Sequence, residues 1–145
     1  MVLALGPVAF MAAPSAQAYA SSAATRGAYQ AQVLHQINVI RVRAHRSSLK
    51  LTYCPTWFAA RWAYHLASTG TFYHQSMYPI LQVCRATVAA ENLARGNVSA
   101  EAIVAAWMAS PDHRANILDG RLNRVGVRVY YARGEWYVAA DFTRS

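Results

Sequence analysis

The sequence predicts an α+β domain in which helices pack on a small antiparallel sheet. Three observations lead there. Apolar residues recur at helical spacing through the first two-thirds of the chain. The C-terminal stretch alternates strictly between two faces. Gly, Pro and Ser punctuate the segments between. At 145 residues the chain is long enough for one domain with a real core.

Residues 1–20 read as a signal peptide. Val2–Ala13 are apolar apart from Gly6 and Pro7, and Pro14-Ser-Ala-Gln-Ala18 offers small residues for cleavage after Ala18 or Ala20. The run is too short for a membrane span. No Lys or Arg precedes Arg26, so the positive start of such a leader would lie upstream; a plain Ala-rich tail is the competing reading. Residues 21–28 read as a polar linker and 29–145 as the domain.

Val33, Ile37, Ile40 and Ala44 set one apolar face of a helix from Tyr29 to about Arg46, which Ser47-Ser48 ends. Leu49 and Leu51 straddle Lys50 in a short extended piece. Pro55 opens a second helix to about Ser68, with Phe58, Trp62 and Leu66 inward and Gly70 placed for a left-handed cap. Residues 71–90 lack periodicity and read as an irregular loop with room for one helical turn. Ser99 caps a third helix carrying Ile103, Val104, Trp107 and Met108 on its buried side. Ser110 is an N-cap type whose side chain can accept a first-turn amide, and Pro111 suits the first position of a fourth helix ending at Asp119-Gly120. Val125, Val127, Val129 and Tyr131, then Trp136, Val138, Ala140 and Phe142, form the apolar face of a hairpin turning at residues 132–135.

The net charge is +8, and Lys50 is the only lysine among the basic residues. That balance suits anionic partners such as an envelope polymer or lipid headgroups. The arginines form no stripe and no nucleic-acid motif occurs, so nucleic acid is not an expected partner. Cys54 and Cys84 suit one disulfide in an exported chain; two buried thiols satisfy the same count. No Cys-x-x-Cys, Gly-x-Ser-x-Gly or phosphate-binding glycine loop occurs.

His113 falls in the first turn of the fourth helix, where the helix dipole favours the neutral imidazole, a form able to bind metal or take a proton. His35, His45 and His65 read as core or boundary histidines. By spacing alone His74, Glu91 and His113 are unconnected polar residues: a loop histidine, an exposed acid and a capping-turn imidazole.

A resemblance connects them. Phe72-Tyr73-His74, Glu91-Asn92-Leu93-Ala94, Trp107–Leu118 (Trp-Met-Ala-Ser-Pro-Asp-His-Arg-Ala-Asn-Ile-Leu) and Arg124-Val125-Gly126-Val127 resemble, in order, the motifs of the CAP superfamily of cysteine-rich secretory, antigen 5 and pathogenesis-related 1 proteins. The match is closest to its bacterial secreted branch and spans about residues 32–142; the helix bearing Ile37-Asn38 and Arg41 is similar to the family's first. The resemblance implies an α-β-α sandwich, an exported or cell-envelope protein, and a cleft lined by two histidines and two acids. By motif the histidines are His74 and His113, and one acid is Glu91. The second acid position holds Ser110, as it often does in bacterial members. His74, His113 and Glu91 then resemble an open two-His, one-carboxylate site for zinc or another divalent metal, with Ser110 and Asn92 beside it and Asn92 satisfying backbone groups.

The function expected is an exported binding module whose cleft takes a metal or polar ligand. A metal-dependent hydrolase of peptides or envelope polymers, with Glu91 as base, is the alternative. Lipid or sterol carriage is a weaker one. The family implies no general catalytic activity, and the oligomeric state is not legible.

Overall fold

The computed structural model describes residues 16–145, with side chains from Thr25 onward. The leader expected over residues 1–20 falls mainly outside them. The first helix, α1, spans Ala16–Arg43. Residues 21–28, expected as a linker, lie within this helix. The run is Ala- and Ser-rich and free of proline, and Gly27 has nothing within 4 Å of where a Cβ would be. The helix stops earlier than Arg46 because His45 turns left-handed (φ 55°) and the Arg46 amide folds back to the Arg41 carbonyl at 2.8 Å.

The elements that follow are β1 (Lys50–Leu51), α2 (Tyr53–Thr69), α3 (Tyr78–Val83), β2 (Val88–Gly96), α4 (Ala100–Ala109), α5 (Pro111–Leu118), β3 (Arg124–Ala132) and β4 (Glu135–Arg144). The strands form one mixed sheet in the order β1-β3-β4-β2; β1 runs parallel to β3 and the other pairs are antiparallel. Arg133 and Gly134, both at positive φ, make the two-residue turn between β3 and β4. Gly70 caps α2 in the left-handed region, its amide bonded to the Leu66 carbonyl.

Two helical layers cover the sheet. On one face Val33 and Ile37 of α1, Ile103, Val104 and Trp107 of α4, and Ile117 of α5 pack on Val125, Val127, Val129, Val138, Ala140 and Phe142. On the other, Ala59, Ala63, Leu66 and Ala67 of α2 pack on Leu93, Tyr137 and Ala139. The hairpin therefore has two buried faces instead of the single apolar face its alternation suggests, and Tyr137–Thr143 are buried without a break. The second face is covered at close range. A Cβ on Gly126 would lie 2.1 Å from the Thr56 backbone nitrogen, so the start of α2 rests directly on β3.

Residues 71–90, expected as an irregular loop, contain α3 and the start of β2. Residues 88–94 read Val-Ala-Ala-Glu-Asn-Leu-Ala, and small residues with covered faces show no period-2 contrast. Cys54 and Cys84 are joined, tying the first turn of α2 to the end of α3.

One buried cation secures the first face. Arg41 is 1% exposed and donates to the carbonyls of Ser47 (2.8 Å), Ile117 (2.7 Å), Asp119 (3.0 Å) and Leu122 (3.0 Å). The last three satisfy free carbonyls at the end of α5 and in the turn after it, and the first ties down the loop between α1 and β1. Burial lowers the Arg41 pKa from its ordinary value.

Candidate functional site

The site is organised by β2, an edge strand of the sheet. Successive strand residues point to opposite faces, so Glu91 and Asn92 reach to different helical layers. Each holds one histidine from its own side.

On the α2 side, the His74 ring donates Nδ1–H to Glu91 Oε1 at 2.7 Å. The Gln75 amide donates to the same oxygen at 3.2 Å, and Gln75 Nε2 donates to Glu91 Oε2 at 2.7 Å. Gln75 Nε2 also reaches both oxygens of Asp141, at 3.2 and 3.0 Å. Asp141 stands directly across from Glu91 in the β2–β4 register and is fully buried. Burial, and then the negative charge of Glu91, push the Asp141 carboxyl well above the carboxylate range. Asp141 is thus the member of a buried acid pair whose charged form is the more disfavoured.

On the α5 side, Asn92 donates Nδ2–H to the His113 carbonyl at 3.0 Å, and Asn116 donates to the Asn92 side-chain oxygen at 2.9 Å and to the Glu91 carbonyl at 3.3 Å. Trp107 donates its indole N–H to the Leu93 carbonyl at 2.8 Å, fixing α4 to the same strand. Ser110 is the N-cap residue of α5, but its side chain does not bond a first-turn amide. Its Oγ meets His113 Nδ1 at 2.9 Å instead. His113 has a lowered pKa, as the sequence suggested, with burial as the first cause and His74 the second, while Asp112 opposes both.

The two rings meet at the strand edge, with centroids 6.4 Å apart and planes tilted by 41°. Both Nδ1 atoms are committed to oxygens, which leaves Nε2 of each ring for a ligand. His74 is well exposed, whereas the Glu91 side chain is only 2% exposed. Both Glu91 oxygens are engaged from behind, so Glu91 orients His74 and does not itself face the space between the rings. Among the described residues, no group of three or more His, Cys, Asp or Glu side chains converges on a metal position. A divalent ion here would be held by two imidazole nitrogens, with the Glu91 carboxylate as the outer partner that metal-bound histidines commonly have.

Gln75 and Asp141 complete the arrangement and are not evident from sequence motifs. The available signal for Asp141 was an acid inside the otherwise apolar run Tyr137–Phe142. His65 lies away from the pair, stacked on Trp62, and His35 and His45 contribute nothing to it.

A three-layer α-β-α fold with two histidines gathered at an edge strand defines the class of protein. Residues 34–142 match the family model described as the cysteine-rich secretory protein family, CAP, and the chain belongs to that family. Among the solved structures that share the fold are the following three. An extracellular protein containing an SCP domain from Bacillus anthracis superposes with a TM-score of 0.78 at 20% identity, covering 93% of this chain and 45% of that one. An outer surface protein from Borrelia burgdorferi gives 0.70 at 18% identity, covering 77% and 89%. A cysteine-rich secretory protein from Staphylococcus aureus gives 0.71 at 17% identity, covering 83% and 39%. The chain thus spans less than half the length of the Bacillus and Staphylococcus proteins. A sequence comparison with curated proteins returns no match. Among the described residues no helix is long and apolar enough to cross a membrane.

Proposed function

We propose that this is an exported CAP-domain binding module, acting outside the cell or at its envelope, that holds a divalent metal or a small polar ligand between His74 and His113. The observation that carries the reading is the anchoring of both rings at Nδ1, by Glu91 at 2.7 Å and Ser110 at 2.9 Å. A carboxylate accepting the Nδ1 proton makes Nε2 of His74 the basic nitrogen. The lowered pKa of His113 keeps its ring neutral, and so competent to ligate, into mildly acidic solution. A bound metal would supply Lewis acidity; the protein's own part is to orient the rings.

Export is supported by the leader-like start of the sequence and by the extracellular and outer-surface descriptions of the Bacillus and Borrelia proteins. The hydrolase alternative has less support, because it needs a carboxylate facing the reacting space and Glu91 stands behind His74.

Calorimetric titration of the purified protein with Zn²⁺ tests the site. Stoichiometric binding that disappears in the His74→Ala, His113→Ala double variant is expected; equal binding by both proteins contradicts the reading. Retention of a C-terminally tagged protein in the cytoplasm would overturn the export part.

A further inference from the structure

Between α2 and α3 lies a groove of about 540 Å³ that the histidine pair does not use. One wall is a single face of α2, where Trp57, Arg61, Trp62 and His65 follow one another at helical spacing. The other is α3, with Pro79 and Val83, and the Cys54–Cys84 disulfide fixes that helix to the first turn of α2. The groove is therefore built from clamped elements.

Its rings are also held in place. Trp62 donates its indole N–H to the Tyr73 carbonyl at 2.9 Å and stacks on His65, with centroids 4.8 Å apart. His65 Nε2 meets the Tyr73 hydroxyl at 2.8 Å. The Arg61 guanidinium lies 4.6 Å from the Trp57 ring centroid. Trp57 remains 40% exposed, and a large indole left in water beside other aromatics marks a contact surface.

The lining selects a chemistry. It combines indole faces with a guanidinium, an imidazole, the Gln75 amide and the Ser76 hydroxyl, and it contains no acid. Phe58, Pro79 and Val83 make the rest of the lining apolar, but an aliphatic chain would leave the Arg61 guanidinium and the Ser76 hydroxyl against hydrocarbon. A pyranose ring meets both needs: its C–H face suits the electron-rich indole and its hydroxyl rim suits the polar side chains. A carboxylate on the sugar suits Arg61. The charge of the molecule points the same way. Of six acidic residues in the chain Glu91 and Asp141 are buried, against one buried base, Arg41, so the surface is slightly more cationic than the net +8.

We propose that the α2–α3 groove binds a carboxylate-bearing polysaccharide strand, with sugar rings on Trp57 and Trp62 and an acid group on Arg61. The proposal is independent of any ligand at His74 and His113.

Tryptophan fluorescence of the purified protein, titrated with hexagalacturonate, tests it. Neutral chitohexaose, polyglutamate and phosphatidylglycerol vesicles serve as comparison probes. Saturable binding of hexagalacturonate is expected, weakened about tenfold by Trp57→Ala and about tenfold by Arg61→Gln. Arg61→Gln should leave chitohexaose binding unchanged, and the His74→Ala, His113→Ala variant should bind hexagalacturonate as the wild type does. Thermal melts of each variant separate loss of binding from loss of fold. Three results overturn the proposal: no saturation by hexagalacturonate; polyglutamate binding as tightly and indifferent to Trp57→Ala, which assigns the effect to bulk charge; or Trp57-dependent vesicle binding without saccharide binding, which assigns the groove to a membrane surface.

Discussion

The two halves of the histidine site are made of different chemistry. His113 is held by neutral groups, with Asn92 and Asn116 bonding to backbone carbonyls and Ser110 supporting the ring. His74 is held by an ionisable assembly, in which Glu91 and Asp141 share Gln75 in the dark side of the sheet. Adjacent residues of one strand, Asn92 and Glu91, start the two halves. The contrast teaches that the sheet edge supplies position to both rings, while only the His74 side has a buried acid pair whose charge depends on pH.

The largest effect should come from beneath the His113 half. Arg41→Met leaves the carbonyls of Ser47, Ile117, Asp119 and Leu122 without their donor. Chemical denaturation should show a loss of about 3–5 kcal/mol, in the range for breaking a buried charged network. A loss under 1 kcal/mol, as for about the median surface contact, would mean that α5 is held by its apolar face alone.

Beneath the His74 half, Gly126 stands opposite Asp141 in the β3–β4 register and touches the start of α2. Gly126→Ala drives a methyl into the Thr56 backbone and should cost about 3 kcal/mol, the upper end for overpacking. Zn²⁺ affinity should fall with it, since α2 must lift from the face that carries Glu91.

Asn92→Ala strands the His113 carbonyl and the Asn116 amide, and should cost about 1–3 kcal/mol. The loss should be nearly independent of pH, because it removes only neutral groups. Any strong pH dependence in this variant would erase the distinction between the halves.

The smallest effect is the most selective. The folded pKa of Asp141 is raised, so its contribution is fully present below its unfolded value of about 3.9 and is lost as pH rises through the folded value. His113 has the opposite sign: its folded pKa is lowered, and stability falls as pH drops below about 6.5. Asp141→Asn keeps the shape and lets Gln75 still donate. Its melting temperature relative to wild type should rise as the pH climbs above about 4, where the unfolded carboxyl ionises. A pH-independent difference would show that Asp141 carries no buried proton.

Much of the frame was legible because it rests on local rules. Ser99 does cap α4, accepting from the Ala102 amide at 3.3 Å, and Gly70 takes its left-handed cap. The C-terminal hairpin turns at Arg133-Gly134 within residues 132–135. What escaped depended on tertiary context. β2 has no alternation because its small residues are covered, and Asp141 reads as an outward residue until α2 closes over it. Ser110 looked like a side-chain cap, yet the nearby imidazole takes its hydroxyl. The motif resemblance placed His74, Glu91 and His113 together, but gave no way to see that Glu91 stands behind His74.

The most direct measurement is the tautomeric state of the two histidines, read from nitrogen-15 NMR of the imidazoles in wild type and Glu91→Gln. His74 should carry its proton on Nδ1 in the wild type, with Nε2 unprotonated, and Zn²⁺ should shift the Nε2 signals of both His74 and His113. A His74 ring protonated on Nε2 in the wild type, with no change on replacing Glu91, would contradict the account of two imidazoles anchored around the edge of β2.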